Sequence, residues 1–590
     1  MNSFIKNIAI KQRLNSSFGF ILLLWCFLTF INIDKAFHID DTFHLEAATC
    51  IQENPFKPMS GLINWEHSPK PIHQYNQPPL FFYLIAFMQY LFGQGEIVMH
   101  LLLSVFTLLS LIYFNKISTL LGVAQKRLLL VIFAFCPAFI VNQNLMTDIP
   151  ILAISLGAMY YLFQGLRTEK TIYFIISSTL LGFGLLIKYS LFPLFLVILL
   201  TILLTKNSKR VAVLIVPVTF LFLWSIWNLF EFDYIHLLNR PKPVFHSRKI
   251  ISFLSSLGSM SFFTAVFIYS ILPKQMVKSL IILGFIFFTV SVPLVYFDII
   301  AESNYNRVLN FMFIGNGLLL IAFVVKRVFE LLIKEKKDKY HLFNFSIALY
   351  IIGFTLFIGL FAPFNASRHV LLLIPFLLLL GHKQFEKSHK TINNLVVLTT
   401  IFLGLMLGIS DWVYADFYRK SPFMVEVKAE RTWSVGHWGW QWYSKKAGMK
   451  IYSKKEDLKI RNNDIVVIPK DIPKQYISSR IKLDTIDYIS QKSNFLTFFS
   501  GKNFASMYLT LSEKPAWSLS KETIDTIFVC KVKKELNLKD IRTRIISNRD
   551  WYKAIKNKAI EDSISIDSAL FIEAKQTLIK QRNNSPTGFN

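Results

Sequence analysis

Residues 18–44 read FGFILLLWCFLTFINIDKAFHIDDTFH, an apolar run that gives way at Asp34 to charge and closes on two adjacent aspartates, Asp40 and Asp41. A bilayer crossing takes about 20 apolar residues, and 18–33 is close to that length. Similar runs return at 97–121, 128–141, 149–163, 172–187, 191–204, 211–230, 251–272, 280–300, 308–328, 342–361, 370–380 and 395–412. They predict about thirteen spans, with 78–92 short for a crossing. Composition agrees: 53% of the 590 residues are hydrophobic, 57 are Phe, and mean hydropathy is +0.43. No single soluble core buries that much apolar surface, so the fold class expected is an all-α polytopic membrane protein.

Lys and Arg near span ends are retained on the cytoplasmic side. They fall in alternate loops: Lys6, Lys11 and Arg13, then Lys126 and Arg127, Arg167 and Lys170, Lys206, Lys209 and Arg210, Lys274 and Lys278, 334–339, and Lys383, Lys387 and Lys390. The loops 34–96, 142–148, around Lys188, 231–249, 301–307 and 363–368 are then extracytoplasmic. An odd span count puts the tail there too. Arg240, Lys242, Arg248 and Lys249 in 231–249 run against the charge bias, so they are candidates for holding an anion; a solvated interfacial loop is the plainer reading.

The net charge of +27 sits largely at span ends and in the tail, where anionic lipid head groups are the nearer partner, and nucleic-acid binding is discounted. The first apolar run has a basic flank but no small-residue cleavage site, which suits a signal anchor. Cys26, Cys50, Cys136 and Cys530 make no closely spaced pair and imply no thiolate zinc site. A Cys50–Cys530 disulfide is conceivable outside, with unpaired thiols the default.

Organisation follows: a membrane body over 1–412 whose first external loop is 34–96, a small soluble α/β domain over 413–580, and a polar, disordered end at 581–590. In the small domain 439–449 reads as an aromatic-rich helix, and 464–468 and 526–532 as strands. The tryptophans Trp433, Trp438, Trp440 and Trp442 could stack on sugar rings; a domain core is preferred.

Adjacent carboxylates at a membrane boundary are costly unless solvated or paired, which makes Asp40 and Asp41 functional candidates. The alternative is that they cap the helix that follows. Their company matters: Trp65, His67 and the run HQYNQPPLFFY from His73 to Tyr83 lie in the same loop, and Thr147-Asp148-Ile149-Pro150 opens another span from the same face. The aromatics of 81–92 could line a lipid groove, but interfacial anchoring is ordinary for such residues.

In these features the chain resembles the polyprenyl-phosphate-dependent glycosyltransferases of the GT-C fold, the group of lipid A aminoarabinose transferases and protein O-mannosyltransferases. The likeness rests on Asp40-Asp41, on Gln77-Pro78-Pro79-Leu80 with Phe81-Phe82-Tyr83, on Thr147-Asp148-Ile149-Pro150 and on Ser367-Arg368-His369, and extends loosely to 435–441. The resemblance implies transfer of a sugar from a polyprenyl-phosphate donor to a lipid, glycan or protein acceptor outside the plasma membrane (the inner membrane of a bacterium), with inversion. Asp40 would be the catalytic carboxylate, assisted by Asp41 and Asp148. Lys188, Arg368, His44, Gln77 and Arg248 are the substrate-binding candidates, of which Arg368 is favoured for the leaving phosphate. It could equally be an interfacial Arg.

Departures limit what carries over. His44 stands where Tyr or Arg is usual, and Asn76 and Gln77 replace an acidic residue and a Lys, so lipid A activity is not transferred. Cofactors are unassigned: His38, His44, His67, His73, His236 or His246 with Asp40 or Asp41 could make a divalent-metal site, but no spacing compels one. Two rival readings remain, a transporter or flippase of a lipid-linked sugar and a non-catalytic envelope scaffold. A transporter would show repeats and broken helices with midplane polar residues, whereas here the polar residues gather at one face.

Overall fold

The computed structural model describes residues 2–75, 77–205, 207–240, 246–333, 340–362, 364–426, 431–457, 459–479, 481–500, 507–508, 515–534 and 538–583. Asn76, Lys206, Lys242, the basic run 334–339 and the end 584–590 lie outside the described residues. Packing divides the chain into a first unit, Met1–Ile63, Pro71–Arg419 and Gln491–Ile524, and a second, Asn64–Lys70, Lys420–Ser490 and Asp525–Asn590.

The first unit is helical. Among the described residues seven helices are long and apolar enough to cross a membrane: Glu96–Leu120, Asp148–Thr168, Ser208–Phe232, Gln275–Tyr296, Glu302–Ile333, His341–Leu360 and Lys390–Met424. The pair Ser247–Ser259 and Thr264–Ser270, bent by 90°, brings the number to at most eight. Ser17–Asn32, Leu80–Phe92, Thr171–Ile187, Tyr189–Leu203 and Ser367–Leu380 are apolar but shorter.

Against the expectation of about thirteen spans, several apolar runs are shorter or broken, and proline is one reason. The run 128–141 is two pieces, Lys126–Ala134 and Pro137–Val141, because Pro137 lacks an N–H and pushes Cys136 out of the helical region. The run 370–380 likewise breaks into Ser367–Leu371 and Ile374–Leu380, with Pro375 in the first turn of the second piece.

The segment 491–524, expected in the soluble tail, belongs to the first unit. Its aromatic content explains this: Trp517 is fully buried, donates from Nε1 to the Ser259 carbonyl at 3.1 Å, and lies tilted against Phe313 with ring centroids 5.0 Å apart.

Helices Ser247–Ser259 and Glu302–Ile333 meet through small residues. A Cβ on Gly258 would sit 1.9 Å from the Phe313 carbonyl oxygen, and one on Gly317 would sit 2.2 Å from that of Leu254. Between lipid-facing helices there is little hydrophobic drive, so close backbone approach and polar contacts must hold them. Ser255 Oγ donates to Asn310 Oδ1 at 2.6 Å and Asn316 Nδ2 to the Gly258 carbonyl at 2.7 Å.

The second unit contains a five-stranded mixed sheet in the order 450–451, 432–434, 465–469, 526–534, 481–490. The first three strands run parallel, and 526–534 is antiparallel to both its neighbours. Trp433, Val435, Tyr452, Ile460, Val466, Ile481 and Val532 form its core. Helices Leu538–Ser547, Arg549–Glu561 and Ile566–Asn583 pack on a core of their own around Ile541, Ile545 and Ile555. The last of these runs into 581–583, which was expected to be unstructured. Trp433, Trp440 and Trp442 are buried, and all four cysteines are free thiols.

Gly317→Ala should cost about 1–3 kcal/mol by overpacking the helix contact, while Gly315→Ala, where a Cβ meets nothing within 4 Å, should be neutral. Unfolding of both variants in detergent checks this.

Candidate active site

The first helix ends at Asn32, whose side chain donates back to the Leu28 carbonyl at 3.0 Å. The chain then turns inward, and Lys35 is fully buried. Its three ammonium donors are all used: Val141 carbonyl at 3.1 Å, Asn144 Oδ1 at 2.6 Å and Asp411 Oδ2 at 2.5 Å. Tyr508 donates its hydroxyl to the same Asp411 oxygen at 2.7 Å and accepts from Asn144 Nδ2 at 2.7 Å.

His38 lies 3.3 Å from Asp411, and its backbone N–H donates to Asp41 Oδ2 at 3.1 Å. Burial works against a charged His38, yet Asp411 and Asp41 outweigh it and lift its pKa above the ordinary value. Lys35 and His38 thus face Asp41 and Asp411, a charge-balanced group beneath the loop.

This anchoring sets Ile39 at φ +52, a left-handed conformation that a β-branched residue adopts only under constraint. Asp40 follows. It occupies the N-cap position of helix Asp41–Glu53 but makes no capping hydrogen bond; its Oδ2 instead accepts from Arg368 Nη1 at 2.5 Å. Asp41 is fully buried on the His38 side and faces away from this pair.

Arg368 is fixed by its neighbours. Ser367 donates from both backbone N and Oγ to the Met507 carbonyl, at 2.8 and 2.7 Å. The guanidinium lies over the Phe364 ring, and its Nε is buried with no hydrogen-bond partner among the described residues. A second pair stands beside the first: Lys188 Nζ donates to Asp148 Oδ1 at 2.8 Å. Lys188 interrupts two helices in an extended conformation, φ −157, and Asp148 opens helix Asp148–Thr168.

The pairs act on each other. Burial disfavours the charged Asp40 carboxylate, but Arg368 first, then His44 and Lys188, more than offset this and hold its pKa below the ordinary carboxylate value. His44 Nε2 is 2.5 Å from Gln77 Oε1. Burial outweighs the nearby Asp40, so His44 titrates below its usual value. Phe81 and Phe82, fully buried, pack against the His44 ring at 5.9 and 5.4 Å; these aromatics support the loop.

Asp40, Asp148, Lys188, Arg368, His44 and Gln77 therefore come together. Arg248 does not: it is exposed at the start of helix Ser247–Ser259, with no contact to the cluster among the described residues. Among the described residues no three His, Cys, Asp or Glu converge; His73 contacts Tyr234 and His236 contacts Tyr189 and the Tyr75 carbonyl. Lys35, Asp411, Tyr508 and Asn144 were not singled out from sequence. A carboxylate within an apolar run was the available signal.

Breaking the buried pair by Asp411→Leu should cost about 3–5 kcal/mol, because Lys35 is left uncompensated, whereas Lys35→Met with Asp411→Leu should recover most of it. Denaturation midpoints decide; a double variant no better than the single would refute the pairing as the source.

Residues 76–228 match the family model of dolichyl-phosphate-mannose-protein mannosyltransferase; the stretch holds Gln77, Asp148 and Lys188 but neither Asp40 nor Arg368. No curated protein matches the chain. Among solved structures, ArnT from Cupriavidus metallidurans bound to undecaprenyl phosphate aligns at 13% identity and TM-score 0.40, over 78% of this chain and 93% of that one. The oligosaccharyltransferase of Archaeoglobus fulgidus in its apo form aligns at 13% and 0.43, over 76% and 69%. Such values are a likeness of chain path alone. Over the segment that carries Gln77, Asp148 and Lys188, then, this chain is similar to polyprenyl-phosphate-dependent glycosyltransferases.

Proposed function

We propose that the chain is an integral membrane glycosyltransferase that moves a hexosyl or pentosyl unit from a polyprenyl-phosphate donor to a lipid, glycan or protein acceptor, on the outer face of the plasma membrane. The observation that carries the reading is the pairing of two carboxylates with two cations, Asp40 with Arg368 and Asp148 with Lys188. Intramembrane or boundary charges of this kind are expensive and imply use.

In this mechanism an acceptor hydroxyl beside Asp40 gives its proton to the carboxylate as its oxygen attacks the anomeric carbon. The new C–O bond forms as the bond to the carrier phosphate oxygen breaks, and that electron pair leaves on the phosphate. Arg368, through its unpartnered Nε, and Lys188 take up the developing charge. Asp148 orients Lys188. One displacement inverts the anomeric centre. A divalent metal would supply further positive charge at the phosphate, but no ligand set assembles among the described residues.

Transport of a lipid-linked sugar is the second reading, and the 90° break at 259–264 is the observation that favours it. The two separate cleanly. Asp40→Asn should lower transfer about 10²–10⁴-fold with the protein still inserted, seen as loss of one sugar from the surface glycans by mass spectrometry. Full restoration of the glycan by that variant would sink the base assignment and advance transport.

A pH profile tests the electrostatics. Asp40 is a depressed carboxylate, so wild-type activity should persist to low pH and fall only as pH drops through that lowered value. Arg368→Gln removes the chief stabiliser of the charged form and should move the acid limb to higher pH, along with a lower rate. An unmoved limb would mean that Asp40 is not the titrating base.

A further inference from the structure

The second unit contains a cavity of about 1240 Å³ between the sheet and the helices Leu538–Ser547 and Arg549–Glu561. Six cationic side chains line it, Arg431, Lys450, Lys459, Arg461, Arg544 and Arg549, against two acidic ones, Glu456 and Asp464. Both acids are already engaged. Asp464 accepts from Arg431 Nε at 3.2 Å, Trp433 Nε1 at 3.1 Å and the Arg461 backbone N–H at 2.9 Å. Glu456 pairs with Lys459 at 2.8 Å.

Arg461, Arg544 and Arg549 are left without an ion pair among the described residues. Arg461 and Arg544 are close enough to repel: burial, and then the Arg461 charge, pull the Arg544 guanidinium below its usual pKa. A fold that crowds guanidinium groups into one recess, where the two carboxylates are already engaged, gains most from an oxyanion. Guanidinium is the group whose planar fork matches phosphate oxygens.

We infer that this cavity is a binding site for a phosphate ester. Its volume exceeds what one inorganic ion fills, so the phosphate is carried on a larger polar body, either a soluble sugar phosphate or the head group of an anionic phospholipid. None of the active-site residues lines the cavity, so the inference stands or falls independently of the transfer reaction.

The test uses the full chain in phosphatidylcholine nanodiscs, titrated calorimetrically with inorganic pyrophosphate. Saturable binding is expected, weakened at least about 10-fold by Arg461→Gln with Arg544→Gln, since each charged hydrogen bond lost is worth a factor of that order. Lys531→Gln with Lys553→Gln removes the same charge from exposed positions and should change affinity less than about 2-fold. If the arginine pair does not fold, Arg549→Gln, exposed at the cavity rim, should still weaken binding.

Repeating the titration in phosphatidylglycerol nanodiscs identifies the source. Weaker pyrophosphate binding there means that a lipid head group competes for the cavity, and unchanged binding means a soluble phosphate ester. No saturable binding, or equal losses in the arginine and lysine variants, would overturn the site and leave only diffuse charge.

Discussion

A lysine ammonium and an aspartate carboxylate, both nearly sealed from solvent, meet where the first helix ends and the last long helix passes. Removing two such charges from water costs several kcal/mol each, and their attraction offsets this only where every remaining donor and acceptor finds a partner. Lys35 and Asp411 meet that condition through Val141, Asn144 and Tyr508. Four segments far apart in sequence are thereby held at one point. Because Lys35 is fixed, so is the stretch that runs from it through His38 to Asp40, and the left-handed Ile39 is the visible consequence. A backbone held in such a conformation needs surroundings that over-determine it, and the ion-pair group supplies them.

That dependence explains the division of labour between the two aspartates. They are adjacent, so one turns toward the anchoring group and the other away from it. Asp41 takes the His38 backbone N–H and belongs to the anchor. Asp40 makes no capping bond and is left to Arg368. The two form one acidic pair in sequence, and the structure gives them different partners, His38 for Asp41 and Arg368 for Asp40.

Much of the site was legible because its charges stand out against apolar surroundings. Asp40, Asp148, Lys188 and Arg368 each lie at the edge of an apolar run, and the fold gathers all four. Asp411 was hidden for the converse reason: the run 395–412 reads as one span, and the cost of a carboxylate inside it was not pressed to the question of its partner. Tyr508 was beyond reach, since nothing local marks a tail residue as returning to the membrane unit. Arg248 was selected for charge against the topological bias, yet it points to solvent. In the second unit the edge strand 481–490 went unread because most of it is exposed and a bulge between Thr485 and Asp487 breaks its alternation. Span boundaries failed at Pro137 and Pro375, where hydropathy continues but helical hydrogen bonding cannot.

The Asp40–Arg368 pair carries an apparent contradiction, because a carboxylate stabilised by a guanidinium is a poor base. The resolution lies in what else the guanidinium can bind. Arg368 Nε is a buried donor without a partner among the described residues, and the phosphate of the proposed donor would offer it acceptors that Asp40 alone does not. In the proposed reaction Arg368 would shift its interaction toward the phosphate, share the charge that depresses Asp40 and so make the carboxylate more basic. Asp148, paired with Lys188 and under the influence of Arg368, keeps the second cation from collapsing onto Asp40 in the same step. Donor binding would then strengthen the base at the moment an acceptor hydroxyl needs it, and the two ion pairs keep these buried charges neutralised otherwise. The anchor at Lys35 and Asp411 matters here as well, because an exchange of partners by Arg368 is useful only if Asp40 stays where it is while the guanidinium moves.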